Sequence, residues 1–351
     1  MFTSVRLQQF RSHSDSQYEF DNGVTIIIGP NGSGKTSIVE ALYMASTGET
    51  FRNSDMSVIT TGKDWSRVDT VTEHNDQRSI KLQLQNEVLK KSYVFDGVEK
   101  QRFLQQYELP VVLFEPQDMN ILVGDPSQRR DAIDRVLCVT MPHYRAHSKN
   151  YRRALAQRNA ILKQMSGGNQ QDIFVWDVRL SELGGVLHTA RKQLINLFAQ
   201  QFNDTYSAIS GKQQNVTITY ESDETGADYT ASLLARLQHN IAKDVVRGFT
   251  SYGPHRDDIG VYVNGILAKT AASRGETRTL MLVLKMLELS AVEQATGQKP
   301  LLLLDDVFSE LDGSRRRLLA DATNGYQTII TTTEADVVID HFAGRHSVIA
   351  L

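Results

Sequence analysis

The 351-residue chain has a single cysteine, Cys138. One thiol builds neither a disulfide framework nor a cysteine zinc site, and a reducing compartment is expected. Proline is scarce, at seven residues, and no segment is of low complexity, which argues against long disordered stretches. Long apolar runs are also missing. VTIII (24–28) and LLLL (301–304) are strand-sized, far below the roughly 20 residues of a membrane span. The opening MFTSVRLQQF lacks a basic segment followed by an apolar one, so no secretory signal is read and a cytoplasmic location is expected.

Net charge is small, −3, and gives no reason by itself to expect a polyanionic partner. Its distribution does. Between Pro126 and Ile195 there are twelve Lys and Arg against five Asp and Glu, leaving the window at +7 and the rest of the chain at −10. A basic region on an acidic whole suits either a polyanion partner or a solvated helical face.

Periodicity changes along the chain. NGVTIIIG reads as a buried strand entering a glycine loop, and TSIVEALYMAST as the helix that follows. SIKLQLQ alternates like a half-buried strand, KKSYVFDGVEK like a hairpin turning at Asp96-Gly97, and LPVVLFEPQD like a strand ending at Pro116. From Asp125-Pro126-Ser127, a helix-start signal, about 75 residues look helical, broken near Pro142 and by a loop at 166–172. Trp176, Leu180, Leu183, Leu187, Ala190, Leu194 and Leu197 form a heptad seam, weakened by Gly184 and Gly185. A poorer seam runs through Tyr144, Tyr151, Leu155, Leu162 and Met165. Two such helices predict an antiparallel hairpin reaching roughly 40 Å. Strand patterns return in NVTITYE and in DIGVYVNGI, which turns at Asn264-Gly265. Helix, strand, helix, strand then close the chain. The expectation is an α/β protein split by a helical insertion: 1–124, an inserted arm at 125–205, and 206–351.

GPNGSGKT, Gly29 to Thr36, fits the phosphate-loop pattern and sits between a strand and a helix, as its chemistry requires. In the loop of Gly29, Pro30, Asn31, Gly32, Ser33 and Gly34, the glycines let backbone N–H groups, which Pro30 lacks, turn toward phosphates. Lys35 adds a positive charge, and Thr36 offers a hydroxyl to Mg²⁺. The reading is an ATP site. LLLLDD, Leu301 to Asp306, is the second half: a strand apolar on both faces, ending in two carboxylates. Asp305 is expected to coordinate Mg²⁺, and Asp306 to polarise an attacking water.

SRGE, Ser273 to Glu276, opens an apolar helical run. It is either an ordinary capped helix or a second anion site, in which Ser273, Arg274 and the N–H of Gly275 address the γ-phosphate of another subunit's nucleotide. A carboxylate at Glu276 favours the helix dipole yet repels a close phosphate. His255 and Arg256 also have two readings: contact with a ligand or partner, or a turn before a strand.

GPNGSGKT, SRGE, LLLLDD and SELD (309–312), in that order around a helical insertion, resemble the P-loop NTPase heads of the ABC and SMC class. The chain is similar, over nearly its full length, to the RecF family of bacterial recombination mediators. The similarity is carried by the N-terminal segment through GPNGSGKTSIVEALY, by FEPQDMNILVGDPSQRRDAID, and most specifically by TSYGPHRDDIGVYVNG. That family usually has Gln where this chain has Glu276, and a bulkier motif where it reads Arg129-Arg130-Asp131-Ala132-Ile133-Asp134. ABC transporter subunits usually place Glu and His where Asp306 and a threonine among Thr331–Thr333 stand, and the difference suits slow hydrolysis.

The resemblance implies a weak ATPase whose ATP-bound homodimer clamps double-stranded or gapped DNA, with RecR and RecO as partners and RecA loaded as the result. DNA contacts would go to phosphates, with Arg129, Arg130, Arg145, Lys149, Arg152, Arg153 and Arg158 as candidates. The alternatives are an SMC-like structural ATPase, for which the insertion is too short, a transporter subunit, and a dimerising switch acting through a protein partner.

Overall fold

The computed structural model describes residues 1–52, 54–164, 171–223, 228–334, 338–342 and 346–351. The chain divides into two compact units, Met1–Asp118 with Val292–Leu351, and Met119–Ala291. The expected breaks at 124/125 and 205/206 differ from this division: residues 206–291 belong with the helical segment.

The first unit begins with β1 (Phe2–Phe10), β2 (His13–Glu19), β3 (Val24–Ile28) and α1 (Lys35–Thr47), followed by β4 (Trp65–Thr72), β5 (Gln77–Gln85), β6 (Val88–Phe95), β7 (Val98–Lys100) and β8 (Val111–Phe114). The second unit holds α2 (Asn120–Val123), α3 (Pro126–Thr140), α4 (Tyr144–Gln164), α5 (Gln171–Ser210), β9 (Val216–Glu221), α6 (Tyr229–His239), α7 (Ile241–Arg247), β10 (Asp258–Val263), β11 (Ile266–Leu267) and α8 (Ala268–Ala271). After α9 (Arg274–Thr296), the first unit is completed by β12 (Leu301–Asp305), α10 (Gly313–Ala322), β13 (Thr328–Thr332) and β14 (His346–Ala350).

Two sheets organise the first unit. One is parallel, in the order β14-β3-β13-β12-β8; the other is antiparallel, β2-β1-β4-β5-β6-β7. The central parallel strands VTIII, LLLLD and TIITT are buried along almost every residue, as strands covered on both faces must be. Helix α1 contacts strands of both sheets. Ile38, Val39, Ala41, Leu42 and Met44 are accordingly all fully buried, in one core with Val5, Leu7, Leu82 and Leu303. A helix buried all round follows from having apolar partners on two sides. The β6–β7 hairpin turns at Asp96 and Gly97, both at positive φ (50° and 79°), the conformation that an Asp-Gly pair adopts readily.

In the second unit, α4 and α5 lie against each other. The heptad seam of α5 is buried from Leu180 to Leu194, then shifts phase to Phe198, Phe202 and Tyr206, leaving Leu197 exposed. The loop expected at 166–172 falls mostly outside the described residues, as does Met165 of the other seam. Gly184 and Gly185 do not weaken the helix without compensation. A Cβ on Gly185 would stand 2.3 Å from Thr230 Oγ1, and one on Gly184 2.9 Å from Leu233 Cδ2, so the glycines admit α6 at close range. A small antiparallel sheet, β11-β10-β9, turns at Asn264 and Gly265, again both at positive φ.

Candidate nucleotide-binding site

The chain from Gly29 to Thr36 leaves β3 and wraps the start of α1. Gly34 is the helix N-cap at φ 100° and offers no side chain to cap the first turn; the Ser37 N–H turns back to the Gly34 carbonyl at 2.9 Å, and the N–H groups before it face the place of an anion. The glycine is required twice, by its left-handed backbone and by space. A Cβ there would stand 2.5 Å from His13 Nε2 and 2.7 Å from Ser12 Oγ. His13 is buried beneath the loop, its Nε2 3.2 Å from the Gly34 carbonyl and its Nδ1 3.2 Å from the Tyr18 hydroxyl. Nothing in the local sequence marks His13, which the sequence reading missed. Its role comes from strand pairing, which brings the start of β2 to the loop.

Lys35 Nζ donates to the carbonyls of Gly29 (2.7 Å) and Pro30 (3.0 Å), spanning the loop from within. Thr36 Oγ1 donates to Asp305 Oδ1 at 2.8 Å, and Thr331 Oγ1 donates to the same oxygen at 2.8 Å. The expected pairing of loop and strand end is therefore a direct contact across 269 positions of sequence. One carboxylate and neighbouring hydroxyls are hard oxygen donors. They fit Mg²⁺, which is typically held by few protein groups together with substrate phosphates and water. No cluster of three or more His, Cys, Asp or Glu competes for that assignment among the described residues.

Asp306 follows at φ 52°, a left-handed conformation unusual outside glycine. Its N–H is fixed by the carbonyl (3.2 Å) and hydroxyl (3.0 Å) of Thr331. Its Oδ1 is buried with no hydrogen-bond partner among the described residues. Burial raises its carboxyl above the ordinary value; the Ser309 hydroxyl opposes this, neighbouring Asp305 adds to it, and Lys35 opposes it. These groups line one cavity of about 540 Å³ with Arg11, Arg52 and Asn31. Arg11 is held by Glu40 through two bonds of 2.8 Å, and Thr50 also donates to Glu40.

The segment Ser273–Glu276 forms a capping box at the start of α9. The Glu276 carboxylate accepts from the Ser273 N–H (2.9 Å) and hydroxyl (2.8 Å), and the Glu276 N–H donates to Ser273 Oγ at 3.3 Å. Gln214 Nε2 donates to its other oxygen at 3.0 Å. The Ser273 N–H first, then Gln214 and the Ser273 hydroxyl, hold this carboxyl down to about 2. Of the two readings of this stretch, the capped helix is formed in full.

Residues 1–345 match the model of the RecF/RecN/SMC N-terminal domain. The DNA replication and repair protein RecF of Streptococcus uberis is 36% identical over 95% of this chain and 93% of its own length. That of Halothermothrix orenii is 32% identical over 94% and 91%. The chain belongs to the RecF family. A solved structure of the recombination mediator protein RecF-ATPrS in the RecFOR pathway superposes with a TM-score of 0.87, at 27% identity, covering 97% of this chain and 94% of the other. An Smc head domain with a coiled coil and joint from Pyrococcus yayanosii shares the fold, with a TM-score of 0.55 at 12% identity. The fold is thus the P-loop NTPase head of the ABC and SMC type.

The GPHRDD segment by which this chain resembles other RecF proteins is a structural hub. His255 receives or donates through both nitrogens, to the Tyr151 hydroxyl (2.7 Å) and the Thr250 carbonyl (3.1 Å). Burial pushes it down to about 4, so it is neutral near pH 7. Arg256 reaches the Thr250 carbonyl at 3.2 Å and stacks over Phe249, and Asp257 accepts from the Tyr220 hydroxyl at 2.7 Å.

The basic residues separate into two groups. Arg158 requires correction as a DNA contact: it is fully buried, paired with Asp177 at 2.6 Å and Asp244 at 2.7 Å. Arg129 is corrected likewise, being 9% exposed, paired twice with Asp258 and bonded to the Gly124 carbonyl. Arg130 spends one nitrogen on the Asp257 carbonyl. Lys149, Arg152 and Arg153 are exposed on α4, and Arg145 is half-buried. Tyr144 and Tyr151 are core residues. Among the described residues no helix is long and apolar enough to cross a membrane.

Proposed function

We propose that this chain is an ATP-gated DNA-binding protein of recombinational repair. ATP with Mg²⁺ occupies the cavity between the phosphate loop and Asp305. Gly29, Pro30, Asn31, Gly32, Ser33 and Gly34 surround the phosphates, every one but Pro30 with a backbone N–H to give, and Lys35 turns from its loop carbonyls toward the β- and γ-phosphates. Thr36 and Asp305 would hold the metal, which would supply positive charge against developing phosphate charge. Asp306 orients the attacking water. The convergence of Thr36 and Thr331 on Asp305, beside a buried Asp306 oxygen with no partner among the described residues, carries this reading.

Ser273, Arg274 and Gly275 address the γ-phosphate of a second copy, so two nucleotides close a homodimer over duplex or gapped DNA. Slow hydrolysis opens it. Lys149, Arg152 and Arg153, with Arg145 and Arg130 at the margin, are the phosphate-contacting group. Similarity to proteins described as RecF with ATP in the RecFOR pathway supports RecR and RecO as partners and RecA loading as the outcome. A cytoplasmic location follows from that role.

The test is duplex-DNA binding with and without ATP for the wild type and Lys35→Met across a salt series. Affinity that rises with ATP, loses that rise in the variant and falls steeply with salt supports the clamp. Binding that is absent or indifferent to ATP refutes it and leaves a dimerising ATPase that acts through a protein.

A further inference from the structure

Asp305 is 3% exposed and carries three partners, of which only one is charged. Thr36 and Thr331 donate to Oδ1, and Arg52 Nη2 lies 3.1 Å from Oδ2. A carboxylate so far from water needs a counter-charge. Arg52 supplies it from the stretch after α1, and its manner of attachment is unusual. Its side chain is 36% exposed, its one charged contact among the described residues is this oxygen, and its Nε is buried without a hydrogen-bond partner among them. The Phe51 ring lies 5.6 Å below the guanidinium. The backbone is held better than the head: Arg52 N–H donates to Thr50 Oγ1 at 3.1 Å, and Thr50 in turn donates to Glu40. The result is a cation on a fixed base, joined to its carboxylate by a single contact and lining the same cavity as Lys35 and Thr36.

We propose that Arg52 is a displaceable stand-in for the divalent cation. It compensates Asp305 when no metal is bound and is expelled from Oδ2 when one enters, so it sets the threshold for metal occupancy. This rests on the reading of Asp305 as a metal ligand. Two cations on one buried carboxylate repel each other, and the monodentate geometry makes the guanidinium the partner that yields. Nothing in the local sequence marks Arg52 for this task.

The test is a Mn²⁺ titration of the full, nucleotide-free chain, followed by electron paramagnetic resonance. Arg52→Gln and Arg52→Ala should bind Mn²⁺ about three- to tenfold more tightly than wild type, the gain from removing one partly exposed competitor. Arg52→Lys should stay near wild type, and Asp305→Asn should abolish binding in every background. ATP affinity is measured in parallel with Mg²⁺ and with chelator. The neutral variants should lose metal-free ATP affinity while keeping that for Mg²⁺-ATP. Unchanged or weaker Mn²⁺ binding in the neutral variants overturns the proposal, as does no measurable binding in any variant. If the wild type binds no ATP but the neutral variants still tighten Mn²⁺, the nucleotide reading fails and the role of Arg52 stands.

Discussion

Arg158 and Asp177 face each other at 2.6 Å with neither side chain exposed, and Asp244 closes on the same guanidinium at 2.7 Å. Thr250 and the Leu237 carbonyl take further N–H groups. Burial raises the Asp177 carboxyl, and Arg158 pulls it back. Removing the cation leaves two buried carboxylates uncompensated. Arg158→Ala is therefore expected to cost about 3–5 kcal/mol, whereas Arg152→Ala and Arg153→Ala should stay within about 0.5 kcal/mol of wild type. Urea unfolding of the three variants checks this.

Lys35 holds its own loop together through the Gly29 and Pro30 carbonyls and is the one lysine among the described residues that line the cavity. Lys35→Met should leave the fold intact and weaken ATP binding by about ten- to a hundredfold, the cost of losing charge-assisted hydrogen bonds of about 1.5–3 kcal/mol. Titration calorimetry with Mg²⁺-ATP measures it, with circular dichroism as the control for folding.

Much of this site is readable in the linear sequence because its parts are local. A loop of fixed spacing, a doubly buried strand and its terminal carboxylates are each written in a few adjacent residues. So are the Asp96-Gly97 and Asn264-Gly265 turns, where two successive positive φ angles demand those residue types. What escaped is what depends on distant partners. Arg158 looks like any solvated helical arginine until Asp177 and Asp244, 19 and 86 positions on, meet it. β14, α6 and α7 were missed because short segments show little periodicity and are fixed by what they join: β14 by β3, and α6 by the glycines of α5. The signature stretch was legible as two alternatives: the Glu276 side chain forms the capped helix, and the contact with a second copy's phosphate is the proposal that dimerisation tests.

Asp306→Asn separates stability from turnover. A carboxyl raised by burial binds its proton more tightly when folded, so the ionised form weighs against the fold above its pKa, and the penalty fades as pH falls through it. The amide should unfold no lower than wild type at pH 7. Its ATP hydrolysis should drop about 10²- to 10⁴-fold, with Mg²⁺-ATP affinity retained. Steady-state phosphate release and thermal melting read both halves. Undiminished turnover would remove Asp306 from the mechanism.

Glu276 works with the opposite sign. Its carboxyl is lowered from 4.5 to about 2, so its contribution to stability is complete above about pH 4.5 and is lost as pH falls toward 2. Because the group is only half-buried and solvent screens it, Glu276→Gln should cost only about 0.5 kcal/mol and should flatten the acid limb of the stability curve. The same change removes a negative charge from the helix N-terminus proposed to meet a second subunit's phosphate. ATP-dependent dimerisation should therefore tighten, which sedimentation velocity with Mg²⁺-ATP would register.

Lys149, Arg152 and Arg153 lie within five positions of one helix and point to solvent, while Arg129 and Arg158 are committed to carboxylates. Counter-ion release ties each neutralised phosphate to about 0.9 in the slope of log affinity against log salt. Replacing all three exposed residues with alanine should make that slope shallower by about 2.7, lowering affinity alike for unrelated sequences because no base is read. The replacements should not alter stability, since Lys149 and Arg153 show no buried partner among the described residues, where Arg152 gives up only a bond to Ser148. A slope unchanged by the triple variant would place the DNA elsewhere on the molecule. A drop confined to one DNA sequence would mean that bases, and not phosphates, are being contacted.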